Sequence, residues 1–275
     1  MLKTPVVHII GYKNSGKTRI AEGVIRRLHD LGYRTCFFKH IHDSSFSIDT
    51  PGKDSWRIAE AGAERVVLIS EKERATIERE EFKQNNLEDI LAQGEDFDLI
   101  LIEGFKSIKP PKVDVSYIVT ARNEEEISDL LRGRENILFI NTPRSVEPEI
   151  AKGWQTGNIL TNNESVVNFV DNTIVPLINA GRAWKKLPDL DCGKCGYESC
   201  REMANALAAK KDKDMGCVIG SEPSKLVIQV GEMKLVLKRF VQEIVRGSIL
   251  AMVSTLKGSM ISGDENVRVI IEKGE

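Results

Sequence analysis

Two rhythms alternate over the first 180 or so residues. Short, solidly apolar runs bounded by turn residues read as buried strands. Stretches with apolar residues every three or four positions read as helices. "PVVHIIG" is the first strand, followed by a helix with Ile20, Val24, Leu28 and Leu31 at helical spacing and a stop at Gly32. "RTCFFKH" is the second strand, and "DSWRIAEAGA" is a helix closed by Gly62 and capped by Asp54 or Ser55. "RVVLIS" and "RATIERE" read as two strands antiparallel to each other. "NLEDILAQG" is helical, and "FDLILIEG" is an apolar strand ending in an acid. "VSYIVT", a helix around Glu124 to Leu131, "NILFINT" and a last helix "NESVVNFVDNTIVPLINAG" with Asn163 as N-cap complete the alternation.

Alternating strands and helices of this kind predict an α/β fold with a mostly parallel sheet. The apolar rhythm lapses at "RAWKKLP", Arg182 to Pro188, which reads as a linker. Beyond the cysteine-rich stretch that follows, "KLVIQVGEMKLVLK" resembles a hairpin turning near Gly231-Glu232. A helix from about Arg239 to Leu256 and a strand "NVRVIIEK" close the chain as a small α+β unit. The expected division is therefore 1–180, 187–219 and 224–275.

Composition narrows the class. With 275 residues, 41% hydrophobic and 29% charged, the chain is long enough for one sizeable domain and smaller additions. A net charge of −2 supplies no general attraction to nucleic acid or acidic lipid. The three tryptophans form no stacking series, which further argues against nucleic acid. No apolar run approaches the roughly 18–20 residues of a membrane span, and the N-terminus passes directly into a strand. A cytoplasmic location follows as the expectation. There thiols stay reduced, so clustered cysteines point to metal rather than disulfides.

"GYKNSGKT", Gly11 to Thr18, matches G-x-x-x-x-G-K-[ST] in full, and it sits between a strand and a helix as the motif requires. Its glycines permit a tight turn whose N–H groups point at phosphate oxygens, with the helix N-terminus adding its positive end. Lys17 is placed to neutralise β/γ-phosphates and Thr18 to hold magnesium. Glu103, at the C-terminal end of "LILIE", belongs beside the loop in a parallel sheet, near the magnesium or an attacking water. Asp98, at the other end of that strand, belongs far away. No Asn-Lys-x-Asp signature occurs, so guanine preference is not read from these residues.

"KHIHDSSFSIDTPGKDSWR" gathers Lys39, His40, His42, Asp43, Asp49, Lys53, Asp54 and Arg57 directly after the second strand, at the ligand-binding edge of such a sheet. Taken in order, "GYKNSGKT", the "PGKDS" turn region and "DLILIEGFK" resemble the MobB family of molybdopterin guanine dinucleotide biosynthesis proteins over roughly residues 5 to 165. The resemblance implies a P-loop NTPase domain that binds GTP with magnesium, is dimeric, and assists a MobA-type guanylyltransferase acting on the molybdopterin cofactor. It implies a nucleotide-binding set of Gly11, Lys13, Asn14, Ser15, Gly16, Lys17, Thr18 and Arg19. Thr18 and Glu103 would lie near magnesium, with Lys17, Thr18 and Glu103 as the hydrolytic core. Lys39, His40, Asp49, Lys53 and Asp54 would line the neighbouring surface for nucleotide or pterin phosphate.

Cys192, Cys195, Cys200 and Cys217 follow the spacing C-x2-C-x4-C-x16-C. Four thiolates suit zinc or an iron–sulfur cluster. Structural zinc sites usually show two short C-x2-C knuckles, and only one is present here. Gly193 and Gly196 leave room for backbone N–H groups to approach cluster sulfides, which favours a [4Fe–4S] cluster. The stretch 187–219 resembles the small four-cysteine domain of corrinoid iron–sulfur proteins and of the B subunit of Rnf-type complexes. Cys36, alone in an apolar strand, reads as a core residue.

The expected function is a slow GTPase acting mainly as an accessory protein of molybdenum or tungsten cofactor maturation, with molybdenum or tungsten apoenzymes as further partners. The alternative is a redox-responsive iron–sulfur adaptor or metal-delivery NTPase for such an enzyme. A small-molecule kinase with Asp49 as base is a weaker third.

Overall fold

The structure, a computed structural model, describes residues 2–41, 43, 45–79, 87–105, 113–151, 153–160, 162–209, 217, 228–230, 233–235 and 239–256. The chain forms two compact units, Met1–Ile178 and Asn179–Glu275.

The first unit is built on six parallel strands: β1 (Val6–Gly11), β2 (Thr35–Lys39), β5 (Leu99–Glu103), β6 (Val115–Thr120), β7 (Ile137–Asn141) and β8 (Thr156–Gly157), in the order β2-β5-β1-β6-β7-β8. The predicted α/β class and its parallel sheet are what is found. Strands run out from β1 in both directions, so the crevice at its C-terminal end is a topological switch point, where ligands of open α/β sheets gather.

Because side chains alternate across a strand, the sheet has two apolar faces. Val6, Ile10, Ile100, Ile102 and Val119 pack on one side with Ile127 and Leu130 of α4 (Glu124–Leu131). Val7, Ile9, Leu99, Leu101 and Ile118 pack on the other with Ile20, Val24 and Leu28 of α1 (Lys17–Asp30). Leu31 lies just past the end of α1 and is 41% exposed, so the buried stripe stops one turn earlier than its spacing suggests. Cys36 is half-buried against the first face, and burial pushes its thiol pKa up.

Helix α2 (Asp54–Glu60) precedes a separate antiparallel hairpin of β3 (Arg65–Ile69) and β4 (Arg74–Glu78), as the apolar runs predict. Its N-cap is Lys53, with no side-chain cap, rather than Asp54 or Ser55. Short helices α3 (Leu87–Ala92) and α5 (Pro148–Ala151) lie elsewhere in the chain.

The closing helix of this unit departs from expectation. Its N-cap is Asn162, whose side chain accepts the Ser165 N–H, so α6 runs Asn163–Phe169. A π-helical turn, Val170–Ile174, follows and leads into α7 (Val175–Lys185). Pro176 has no amide proton, so the hydrogen-bond ladder behind it must change, and the wider turn lies at that point. Phe169, Val170, Ile174 and Ile178 remain buried against the sheet, and Arg27 grips Asp171 with two hydrogen bonds of 2.9 and 2.7 Å. Helix α7 continues through Arg182–Lys185, where the sequence suggests a linker. It does so because Trp184 and Leu187 are core residues of the second unit.

That second unit contains α8 (Cys200–Ala208), the hairpin strands β9 (Ile228–Val230) and β10 (Met233–Leu235), and α9 (Arg239–Ser254). The predicted hairpin and helix are both present. The turn at Gly231-Glu232 and the strand "NVRVIIEK" lie outside the described residues, as do His42 and Lys106. Among the described residues no helix is long and apolar enough to cross a membrane.

Among the described residues, His8 of β1 is the one buried histidine. Its Nε2 meets the Gly104 carbonyl at 2.5 Å. Burial pushes its pKa down from 6.5 to about 4, against the stabilising carbonyl contact, and the Arg134 charge adds to the lowering. The unfolded chain therefore takes up this proton first. The stability contributed by neutral His8 is complete above pH 6.5 and is lost as pH falls toward 4. The loss is on the order of 3 kcal/mol. Urea denaturation from pH 7 to pH 4 should show that loss in the wild type relative to His8→Gln; parallel curves would refute it.

Candidate functional site

The phosphate-loop residues lie at the C-terminal end of β1. Gly11 ends the strand, Asn14 (φ 61) and Gly16 (φ 94) take left-handed conformations, and Gly16 is the N-cap of α1 without any side-chain cap. The first N–H groups of α1 therefore have no side-chain acceptor in the N-cap position, the arrangement that suits an anion. A Cβ on Gly11 would lie 2.4 Å from the Thr120 carbonyl oxygen and 2.5 Å from Ser15 Oγ, so only glycine fits there. Lys13, Asn14, Thr18 and Arg19 are exposed.

Glu103 follows Leu99 and Leu101 on the sheet face covered by α1, and this parity carries its carboxylate beneath the helix start. Thr18 Oγ1 donates to it, at 3.0 Å from Oε1 and 3.1 Å from Oε2. Lys39, opposite Glu103 in the β2–β5 register, places Nζ 3.6 Å from Oε1. Glu103 is 6% exposed, so Thr18 and Lys39 offset the cost of its burial. Lys17 donates to the Tyr12 carbonyl at 2.6 Å, within the loop itself. Burial lowers its pKa, with Glu103 acting in the opposite sense and Lys39 adding to the lowering. Asp98, at the far end of β5, accepts the Arg34 N–H at 2.8 Å.

His40 joins this group through its N–H, 2.9 Å from the Glu103 carbonyl, and through its ring, 4.5 Å from that of Phe105. Gly104 (φ 100) passes so close to His40 that a Cβ would fall 2.8 Å from the His40 Cβ. The strand ends thus bring together Lys17, Thr18, Lys39, His40 and Glu103. Asp49, Lys53 and Asp54 form a local arrangement of their own. Asp49 Oδ1 accepts from Ser55 Oγ at 2.8 Å and from the Thr50 N–H at 2.9 Å, and Asp54 faces Arg57 at 3.7 Å on the surface.

Two residues beyond the sequence expectations hold the loop from below. Thr120 ends β6 and Asn141 ends β7, and both are buried on the same face as Glu103. Thr120 Oγ1 donates to the Ser15 carbonyl at 2.6 Å. Asn141 Nδ2 donates to Thr120 Oγ1 at 3.1 Å, and its Oδ1 accepts the Ile159 N–H at 3.0 Å. Their sequence signal is the one that marks Glu103: a polar residue at the end of a mainly apolar strand.

The second unit holds the cysteines. Cys192, Cys195, Cys200 and Cys217 line one recess together with Pro188, Lys194, Tyr197 and Ser199. Gly193 (φ 68) and Gly196 (φ 84) turn the loop between the first three, and Gly196 N–H closes on the Gly193 carbonyl at 3.0 Å. Cys200 opens α8, whose N-cap Ser199 accepts the Glu202 N–H. It is buried with Trp184, Leu187, Met203 and Ala204, whereas Cys192 is exposed. Four thiols around one recess supply the all-thiolate donor set that an iron–sulfur cluster takes.

Strand order, phosphate loop and adjacent strand-end acid together define a P-loop NTPase fold. Residues 6–138 match the family model described as "MobB: Molybdopterin guanine dinucleotide synthesis protein B", and the chain carries a MobB-family domain there. Residues 187–219 match a second model, "Putative Fe-S cluster". A protein of Methanocaldococcus jannaschii called "Putative molybdopterin-guanine dinucleotide biosynthesis adapter protein" is 26% identical over 97% of both chains. The Haemophilus influenzae "Molybdopterin-guanine dinucleotide biosynthesis adapter protein" is 42% identical over 40% of this chain, which spans 61% of that relative's length. The crystal structure of Bacillus subtilis MobB aligns with 62% of this chain and 98% of its own, at 24% identity and a TM-score of 0.49.

Thr120→Val keeps the shape and removes the hydroxyl, stranding the Ser15 carbonyl and one amide hydrogen of Asn141. It should destabilise the first unit by about 1–3 kcal/mol. Urea unfolding read by circular dichroism checks this, and unchanged stability would show that the relay is not needed.

Proposed function

We propose that the chain is a GTP-binding adapter of molybdopterin guanine dinucleotide biosynthesis whose second unit carries a [4Fe–4S] cluster. The observation that carries this reading is the phosphate loop with its Thr18–Glu103 pair, set inside the stretch that matches the MobB model. The M. jannaschii relative aligns over nearly the whole chain, including the cysteine-bearing half.

In this reading the loop Gly11–Thr18 cradles the phosphates, with Lys13, Asn14, Ser15, Gly16 and Arg19 around them. Lys17 exchanges the Tyr12 carbonyl for phosphate oxygen. Thr18 and Glu103 hold magnesium and its water, and with Lys17 they support slow hydrolysis. Lys39 and His40 border the same edge. Asp49, Lys53 and Asp54 would serve the pterin phosphate of the molybdopterin ligand. Cys192, Cys195, Cys200 and Cys217 hold the cluster, which supplies one-electron chemistry when bound. The functional division is 1–180, 187–219 and 224–275.

The partners in this reading are a MobA-type guanylyltransferase, a molybdenum or tungsten apoenzyme and a second copy of the chain, in the cytoplasm. Apolar side chains exposed on α2 and the β3–β4 hairpin, Ile58 at 56%, Val67 at 46% and Ile69 at 78%, support self-association. The second reading, a redox-responsive adaptor or metal-delivery NTPase, is favoured by the shared recess of the four thiols.

Anaerobic purification with nucleotide, iron and sulfide analysis on one sample tests both readings. Guanine nucleotide should be retained, and Lys17→Ala should weaken its binding at least about tenfold, the worth of one charge-assisted contact. Cys200→Ser should lose iron and sulfide while keeping nucleotide. A Lys17→Ala protein that binds guanine nucleotide as the wild type does would overturn the first reading. A cluster that accepts no electron would overturn the second.

A further inference from the structure

Just before the first cysteine, two residues hold backbone conformations that side chains seldom adopt. Asp189 has φ 59 and Asp191 has φ 42. Each carboxylate is engaged. Asp189 Oδ1 accepts the indole N–H of Trp184 at 2.8 Å, which pins the segment to the buried end of α7. Asp191 Oδ1 accepts the backbone N–H of Cys200 at 2.6 Å. That bond joins the residue preceding Cys192 to the first residue of α8, and so ties two of the four thiols together across nine positions.

The N–H that Asp191 takes has a particular chemistry. The first N–H groups of a helix have no partner within the helix. Beside a metal-bound thiolate they are the donors available to sulfur, and such bonds, with local charge and solvent exposure, set a cluster's reduction potential. At α8 the Glu202 N–H goes to Ser199 and the Cys200 N–H goes to Asp191. A donor next to a ligand sulfur is thereby withdrawn, and a carboxylate stands in its place. Reduction of a [4Fe–4S] centre from 2+ to 1+ adds one electron and hence one negative charge. Both features oppose it.

We propose that Asp191 is a positioning residue for the cluster. Its carboxylate fixes the Cys192 loop against the start of α8 and holds the one-electron couple at low potential. This rests on the reading that the four cysteines bind a [4Fe–4S] cluster. The left-handed backbone at Asp191 is what lets a residue adjacent to one ligand turn its side chain to the amide of another.

The test uses the full chain, reconstituted anaerobically and titrated with dithionite and mediators, with the reduced cluster followed by electron paramagnetic resonance. Asp191→Asn keeps an oxygen acceptor and removes the charge; Asp191→Ala removes both and frees the Cys200 N–H. The expected result is wild-type iron and sulfide content in Asp191→Asn with a more positive midpoint, and a further positive shift in any cluster that Asp191→Ala retains. Equal midpoints in loaded wild type and Asp191→Asn overturn the proposal alone, including the case in which Asp191→Ala fails to assemble. A wild-type chain that takes up no iron and sulfide overturns the cluster reading and this proposal with it.

Discussion

A carboxylate buried at the end of an apolar strand organises the first unit. Glu103 follows four apolar residues of β5, and strand alternation turns it toward α1, away from bulk water. Burying it demands donors, and the fold supplies Thr18 from the helix start and Lys39 from the neighbouring strand. That demand links three elements far apart in sequence. It brings the phosphate loop, the end of β2 and the end of β5 to one edge of the sheet. The geometry of the proposed nucleotide site is thus also the solution to a solvation problem.

The same face repeats the solution twice more. Thr120 and Asn141 end β6 and β7 as Glu103 ends β5, and each is buried and hydrogen-bonded. Together they carry the loop from beneath, so that Ser15 is held through its carbonyl and its side chain need not serve. A P-loop is often described by its glycines and lysine. Here its shape also depends on polar side chains from two strands that contain none of the motif.

Much of this was legible in the sequence. Solid apolar runs marked every parallel strand except the two-residue β8, and the motif spacing placed Lys17 and Thr18. The terminal position of Glu103 gave its place beside the loop by topology alone. What escaped was decided by contacts between distant residues. Helix α7 runs on through Arg182–Lys185 because Trp184 and Leu187 are buried against Met203 and Ala204, a pairing that local periodicity does not show. The cap at Asn162 rather than Asn163 is a one-residue choice that neighbouring asparagines leave open. The π turn needs both Pro176 downstream and an apolar face to keep buried. For the cysteines, spacing marked the four thiols that share one recess, while the bond from the Cys200 N–H to Asp191 depends on a backbone dihedral and reaches across nine residues.

The outermost strand on the far side from β2 is only two residues long, Thr156–Gly157, and it meets β7 solely at Ile140 and Asn141. A strand edge is a template on which foreign chains can add, and brevity is one way of blunting it. At this flank two residues offer too short a ladder to seed growth. The pairing it does make falls beside Asn141, where the polar relay needs a fixed backbone. One short strand therefore completes the scaffold beneath the loop and guards this side of the sheet against runaway polymerisation.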